Sequence, residues 1–152
     1  MRIWQASPEE APQVAELLAA FRDWWGLDWP DDASFLASVR RLIGREDTEY
    51  LLGAPGEGDP PAAVVQLRYR WGLWWEAEDC WLEDLYVADA ARGSGLGRAM
   101  VEAVLERARA RGCRRVELDV NDQNEPAQAL YSALGFETGK SGGRDILMRR
   151  RL

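Results

Sequence analysis

Val14, Leu17, Leu18 and Phe21 recur at the three- and four-residue spacing that gives a helix one apolar face. Ser7-Pro8-Glu9-Glu10 stands before them: Ser7 is a capping residue, Pro8 suits a first helical position, and Glu10 completes an S-x-x-E box. The pattern predicts a strand over Arg2–Ala6 and a helix running to about Arg22 or Trp24, with Gly26 as its stop. Phe35, Leu36, Val39 and Ile43 predict a second helix over Asp32–Ile43. Strands follow at Glu49–Leu52 and Ala62–Trp71, separated by a Gly- and Pro-rich turn over Gly53–Pro61. Gly72–Asp79 reads as a hairpin connection, and Cys80–Val87 as the central strand.

Beyond that strand, Gly93, Gly95 and Gly97 gather three positions without side chains. Leu96, Met100, Val104 and Ala108 then repeat at helical spacing as far as Arg111, where Gly112 is a stop. Arg115–Val120 predicts a strand and Glu125–Leu134 a short helix with Pro126 in its first turn. Phe136–Lys140 and Asp145–Arg150 predict a closing pair of strands. Strands interleaved with helices make this an α/β chain, and 152 residues without repeat or linker predict one domain over 1–152.

Composition narrows the function classes. With 47% hydrophobic and 30% charged residues the chain can bury a core. A net charge of −7 disfavours a general nucleic-acid binder and favours attraction of small cations. No apolar run long enough to span a membrane and no signal-peptide pattern occur, which predicts a soluble, cytoplasmic protein without a membrane partner. The chain has no histidine, so Ser-His and Cys-His catalysis are excluded. Cys80 and Cys113 lack metal-ligand spacing, and no metal is expected.

A glycine-rich turn that opens a helix is a ready anion site, because its amides lack intrahelical partners and carry the positive end of the helix dipole. A dinucleotide fingerprint G-x-G-x-x-G fails here: counted from Gly93 the sixth position is Arg98, and counted from Gly95 it is Met100. A P-loop fails for want of Gly-Lys-Ser/Thr. What remains is Arg92-x-x-Gly95-x-Gly97. It resembles the pyrophosphate loop Q/R-x-x-G-x-G/A of the GCN5-related N-acetyltransferase (GNAT) superfamily. Asn124-x-x-Ala127-x-x-Leu130-Tyr131-x-x-x-Gly135-Phe136 resembles that superfamily's later motif, in the order the family requires. Residues 82–138 carry the resemblance closely.

The resemblance implies an acyl-CoA N-acyltransferase fold, a twisted, mixed, mostly antiparallel sheet with helices on both faces. Acetyl-CoA would wedge between the central strand and a following strand that splays away. Its pyrophosphate would rest on Gly93, Ser94, Gly95 and Gly97, with Arg92 and Arg98 nearby. Its pantetheine amides would pair with the backbone of Leu85 and Val87, and Asn124 would contact it. Tyr131 stands where the family's general acid stands. Leu82-Glu83-Asp84 is locally similar to polyamine acetyltransferases, which favours Glu83 as base and Asp84 as substrate contact. On a regular strand these neighbours face opposite sides, so which one meets the cleft stays open.

Trp24, Trp25 and Trp29 lie among Asp23, Asp28, Asp31 and Asp32. In the resembled family this connection borders the acceptor pocket. Aromatic faces and carboxylates would suit a cationic amine, with Trp25 and Trp29 as contacts. Alternatively the tryptophans plug the core or form a dimer surface, and the eight in the chain leave surface enough for a homodimer. The expected activity is acetyl transfer from acetyl-CoA to a primary amine of a small cationic molecule, direct and within a ternary complex. The alternatives are acetylation of a peptide or protein amine, or a non-catalytic acyl-CoA-binding sensory module.

Overall fold

The computed structural model describes residues 1–139 and 147–152. They fall into two compact units, Met1–Glu117 and Leu118–Leu152. The first holds β1 (Arg2–Gln5), α1 (Ala11–Trp24), α2 (Asp32–Leu42), β2 (Thr48–Ala54), β3 (Ala63–Gly72), β4 (Ala77–Val87), α3 (Leu96–Arg111) and β5 (Arg115–Glu117). The second holds α4 (Glu125–Ala133).

The sheet order is β1-β2-β3-β4-β5. β1 to β4 are antiparallel neighbours, and β5 joins β4 in parallel. This is the mixed, mostly antiparallel sheet expected. One face packs α1 and α2: Val14, Leu17, Leu18 and Val39 share a buried cluster with Tyr50, Leu52, Val64 and Tyr86. The other face carries α3. Its Arg107 guanidinium donates to Glu49 at 2.6 Å, and Arg111 lies 3.9 Å over the Tyr69 ring.

The start of α3 comes close to the sheet because small residues line its path. A Cβ on Gly53 would overlap the Met100 Sδ and lie 3.2 Å from Leu96 Cδ1. Gly53 pairs with Ala63, which pairs with Val87, so the helix start is seated against the end of β4. Gly53→Val should overpack this contact, costing about 1–3 kcal/mol. A thermal melt should then fall by roughly 2–10 °C. An unchanged midpoint would mean that α3 does not depend on this close approach.

Local signals place the first helix well. Glu10 accepts from the Ser7 amide at 2.8 Å and from Trp4 Nε1 at 2.8 Å. Pro8–Glu10 forms a single 3-10 turn, and the α-helix proper begins at Ala11. Two expectations at the other end are corrected. The strand predicted over Arg115–Val120 stops at Glu117. Phe136–Gly139 and residues 147–150 form no strand, and the rest of the predicted closing pair, residues 140–146, lies outside the described residues. Glu137, Thr138 and Gly139 offer no apolar alternation to hold a strand.

Candidate active site

β4 is built irregularly at the point where the chemistry was expected. Asp84 pairs with Gln66 and Leu82 with Leu67, so Glu83 is an extra residue without a cross-strand partner. Such a bulge shifts the two-residue alternation by one. Leu82 therefore shares the α3 face with Leu67, while Asp84 shares the opposite face with Gln66 and Tyr50. A strand without the bulge would carry Leu82 and Asp84 on one face; here they lie on opposite faces. Glu83 is exposed and Asp84 half-buried.

Among the described residues, the outer edge of β4 is paired over only part of its length. β5 pairs only with Asp79, Cys80 and Trp81. Beyond Trp81 no described strand continues the sheet on that side. The Ala88 amide donates to Ala62 O at 2.8 Å. By the alternation of an antiparallel ladder, the amides of Leu85 and Val87 turn to the open edge.

This edge leads into the glycine turn. Gly93 has φ +77 and Gly95 φ +87, a region that L side chains rarely adopt. Gly95 is the N-cap of α3. Ser94 Oγ donates to Ala91 O at 2.7 Å and accepts weakly from Leu96 N at 3.3 Å. The first intrahelical bond comes from Ala99 N to Gly95 O at 3.0 Å. The amides of Gly97 and Arg98 thus lie in the helix turn that carries no intrahelical acceptor. This amide set suits a phosphate.

The two cations are engaged within the protein. Arg92 Nε donates to Val87 O at 3.0 Å, and Arg92 Nη1 pairs with Asp89 at 2.8 Å. Arg98 pairs with Glu102 at 3.0 Å. Arg92 also lies 5.1 Å from the Trp24 ring centroid and 5.8 Å from that of Tyr86. Phe21 stacks on Tyr86 at 5.4 Å, and Trp24 meets Trp25 edge-on at 4.7 Å. An aromatic group of Phe21, Trp24, Trp25 and Tyr86 therefore stands beside the end of β4. Sequence reading singled out Trp25 but missed Phe21, which it placed on the apolar face of the first helix, and Tyr86.

The expected cage of aspartates takes another form. Arg22 holds Asp23 at 2.6 Å and Asp32 at 2.9 Å, and Asp31 caps α2 through Ser34 N at 2.8 Å. The segment's own arginine is the cation among these carboxylates, ten residues from Asp32 in sequence. A shallow depression of about 610 Å³ is lined there by Arg22, Asp23, Leu27, Asp28, Asp31, Asp32 and Ala33. Neither Trp25 nor Trp29 lines it, and no β4 residue does. Trp29 is 67% exposed, and has no ring partner among the described residues.

In the second unit Asn124 caps α4, its Oδ1 accepting from Ala127 N at 3.3 Å. Tyr131, on that helix, is buried, and its ring meets Phe136 at 5.6 Å. Burial pushes the Tyr131 phenol up to about 12. It stays protonated throughout the neutral and mildly alkaline range. No group of three or more His, Cys, Asp or Glu suited to a metal occurs among the described residues.

Comparison with known proteins places this geometry. The bovine thialysine N-epsilon-acetyltransferase is 38% identical over 88 residues, 57% of this chain and 52% of that protein. The chain thus spans about half the length of that relative. The aminoglycoside N(6')-acetyltransferase type 1 of Stenotrophomonas maltophilia is 30% identical over 137 residues, 89% of this chain and 85% of that protein. A crystal structure from Arthrobacter sp. FB24 superposes with a TM-score of 0.89 at 28% identity, covering 100% of this chain and 96% of that one. The family model described as "Acetyltransferase (GNAT) family" matches residues 14–136, running through both compact units. With the open β4 edge, the glycine turn at α3 and these matches together, the chain belongs to the GNAT acetyltransferase family.

Proposed function

We propose that this chain is an acetyl-CoA-dependent N-acetyltransferase, one domain over 1–152, that acetylates a primary amine of a small cationic molecule by direct transfer. The observation that carries the reading is the edge of β4 beyond Trp81, which no strand among the described residues pairs and which ends at the glycine turn of α3. An amide-bearing arm can add to that edge as a strand does. Acetyl-CoA fits both features and supplies the acetyl group as a thioester. Gly93, Ser94, Gly95 and Gly97 present backbone to its pyrophosphate, and Leu85 and Val87 present amides to its arm. Arg92 and Arg98 supply positive potential beside it, and Asn124 a further contact.

The chain's own residues then have three tasks. A backbone N–H around Val87 donates to the carbonyl oxygen that gains charge during attack. Glu83, exposed on its bulge, takes the proton that an alkylammonium must lose. At pH 7 an amine of pKa about 10.4 is neutral about once in 2,500 molecules, a cost of about 4.6 kcal/mol. Tyr131 returns a proton to the departing thiolate as the carbon–sulfur bond breaks and the carbon–nitrogen bond forms. Asp84 and the Trp25 and Trp29 rings attract the cationic acceptor. Relatives named for thialysine and aminoglycoside acetylation support an amine acceptor. No helix among the described residues is long and apolar enough to cross a membrane. Cys80 and Cys113 are both free, which supports a cytoplasmic setting. Exposed Trp71, Leu73 and Trp74 at the β3–β4 turn support a homodimer.

The test is a thermal shift on ligand-free protein with acetyl-CoA, ATP and NAD. Acetyl-CoA at 100 times its dissociation constant should add about 2.7 kcal/mol. That is roughly 5–10 °C for this size. Stabilisation by acetyl-CoA alone, followed by thiol release with amines, is the expected result. No shift with any of the three would overturn the cofactor assignment.

A further inference from the structure

One arginine on the Asp84 face of the sheet lacks the partner its neighbours have. Two residues along from Asp84's partner Gln66, Arg68 lies on the same face of β3, between Thr48 and Trp81. Next on that face, Arg70 pairs with Glu117 at 3.0 Å, and Arg115 with Asp79 at 3.1 Å. Among the described residues Arg68 has only a loose approach to Asp47 at 3.9 Å. Asp47 is already gripped by Arg45 at 2.9 and 3.0 Å, which holds its carboxyl far below the usual range. Arg68 Nε is buried without a hydrogen-bond partner among the described residues, while the side chain keeps 38% of its surface open. A guanidinium desolvated along one edge and open at its terminal nitrogens is undercompensated. End-on, those nitrogens match a carboxylate in two parallel bonds.

Its charged neighbours give this a direction. Tyr50 lies across Gln66 from Asp84, and its phenol is pushed up to about 12, first by burial and then by Asp84, with Arg68 opposing and Glu83 adding. Two carboxylates and one cation thus act on the same phenol. The Asp84 and Arg68 rows are two residues apart, roughly 7 Å along the strand. A chain advances roughly 1.3 Å per bond, so this gap corresponds to about five or six bonds.

We propose that the acceptor is a zwitterion, an ω-amino acid whose ammonium lies at Glu83 and Asp84 and whose carboxylate is held by Arg68. This rests on the amine-acetyltransferase reading above and narrows it: the cationic end of the acceptor is kept, and its charge is balanced by a carboxylate at the other end. Arg68 is a selectivity residue, and takes no part in the bond changes. A polyamine, cationic at both ends, would set its second charge against Arg68.

The experiment measures thiol release from acetyl-CoA with ε-aminohexanoate, hexylamine and hexanediamine, on the full chain and on Arg68→Met and Arg68→Lys. The native chain should prefer aminohexanoate over hexylamine by about tenfold or more in kcat/KM, and hexanediamine should be the poorest. Arg68→Met should erase the preference through KM, and Arg68→Lys should restore part of it. Retained stabilisation of each variant by acetyl-CoA separates this from misfolding. If hexylamine or hexanediamine is acetylated as well as aminohexanoate, or the preference survives in Arg68→Met, the zwitterion is refuted while the amine reading stands. If acetyl-CoA binds but none of the three amines releases thiol, both readings fall together.

Discussion

Tyr131→Phe should lower kcat by about 10²–10⁴ and leave acetyl-CoA affinity little changed. The substitution removes one hydroxyl from a buried ring whose edge contact with Phe136 is kept. Packing and cofactor contacts therefore persist, and what is lost is the proton for the departing thiolate. The defect has a signature. An acetyl thioester of a more acidic thiol leaves without help and should recover much of the lost rate. A packing role would depress every donor alike. The native enzyme should also show no alkaline loss of kcat near pH 10, where an ordinary tyrosine ionises, because burial holds this phenol protonated up to about 12. Unchanged kcat in Tyr131→Phe, with chemistry shown to limit turnover, would end the assignment.

Glu83→Gln should reduce kcat/KM near pH 7 by a similar factor, about 10²–10⁴. The informative quantity is how that factor changes with pH. A base is needed only while the acceptor is protonated. As pH approaches the amine's own pKa, about 10.4, the substrate arrives neutral and the glutamate has nothing left to remove. The ratio of native to variant rates should therefore shrink steadily between pH 7 and pH 10. Tyr131 remains protonated over that window, so the comparison reports on the acceptor side alone. A ratio that holds constant with pH would make Glu83 a structural member of the bulge rather than a proton acceptor.

The parts of this fold written in short stretches of chain were readable before the structure. Ser7 with Glu10, the helical spacing from Leu96 to Ala108, and the stop at Gly112 all act within a few residues. Local energetics decide them, and they appear nearly where the pattern places them. The glycine turn was legible for the same reason. The features that shape the site depend on partners distant in sequence. The bulge at Glu83 exists because β3 supplies no residue opposite it. Its signal was present in Leu82 and Leu85, two apolar residues an odd number of positions apart with both acids between them. A constant alternation cannot bury both on one face. β5 stops after three residues, although Leu118 and Val120 continue the alternation, because strand length is set by pairing as well as by propensity. Arg22 claims Asp23 and Asp32 across a connection whose path no composition rule supplies. Nothing in the local sequence singles out Arg68, and only its cross-strand neighbours distinguish it.

The extra residue in β4 has a consequence for how such a site can diverge. Leu82 belongs to the packing against α3, Asp84 to the opposite face, and Glu83 to neither ladder. Consecutive letters of the chain are thereby released from one another's constraints. A lineage changing its acceptor can rewrite Asp84 and Arg68 together without disturbing the proton acceptor or the hydrophobic seam beneath it. Deleting Glu83 itself would close the bulge and leave Asp84 and every later position of the strand opposite its present partner and on its present face. Point substitution is a cheap route to new selectivity here, whereas loss of the extra residue would remove the proposed proton acceptor and spare both faces of the strand.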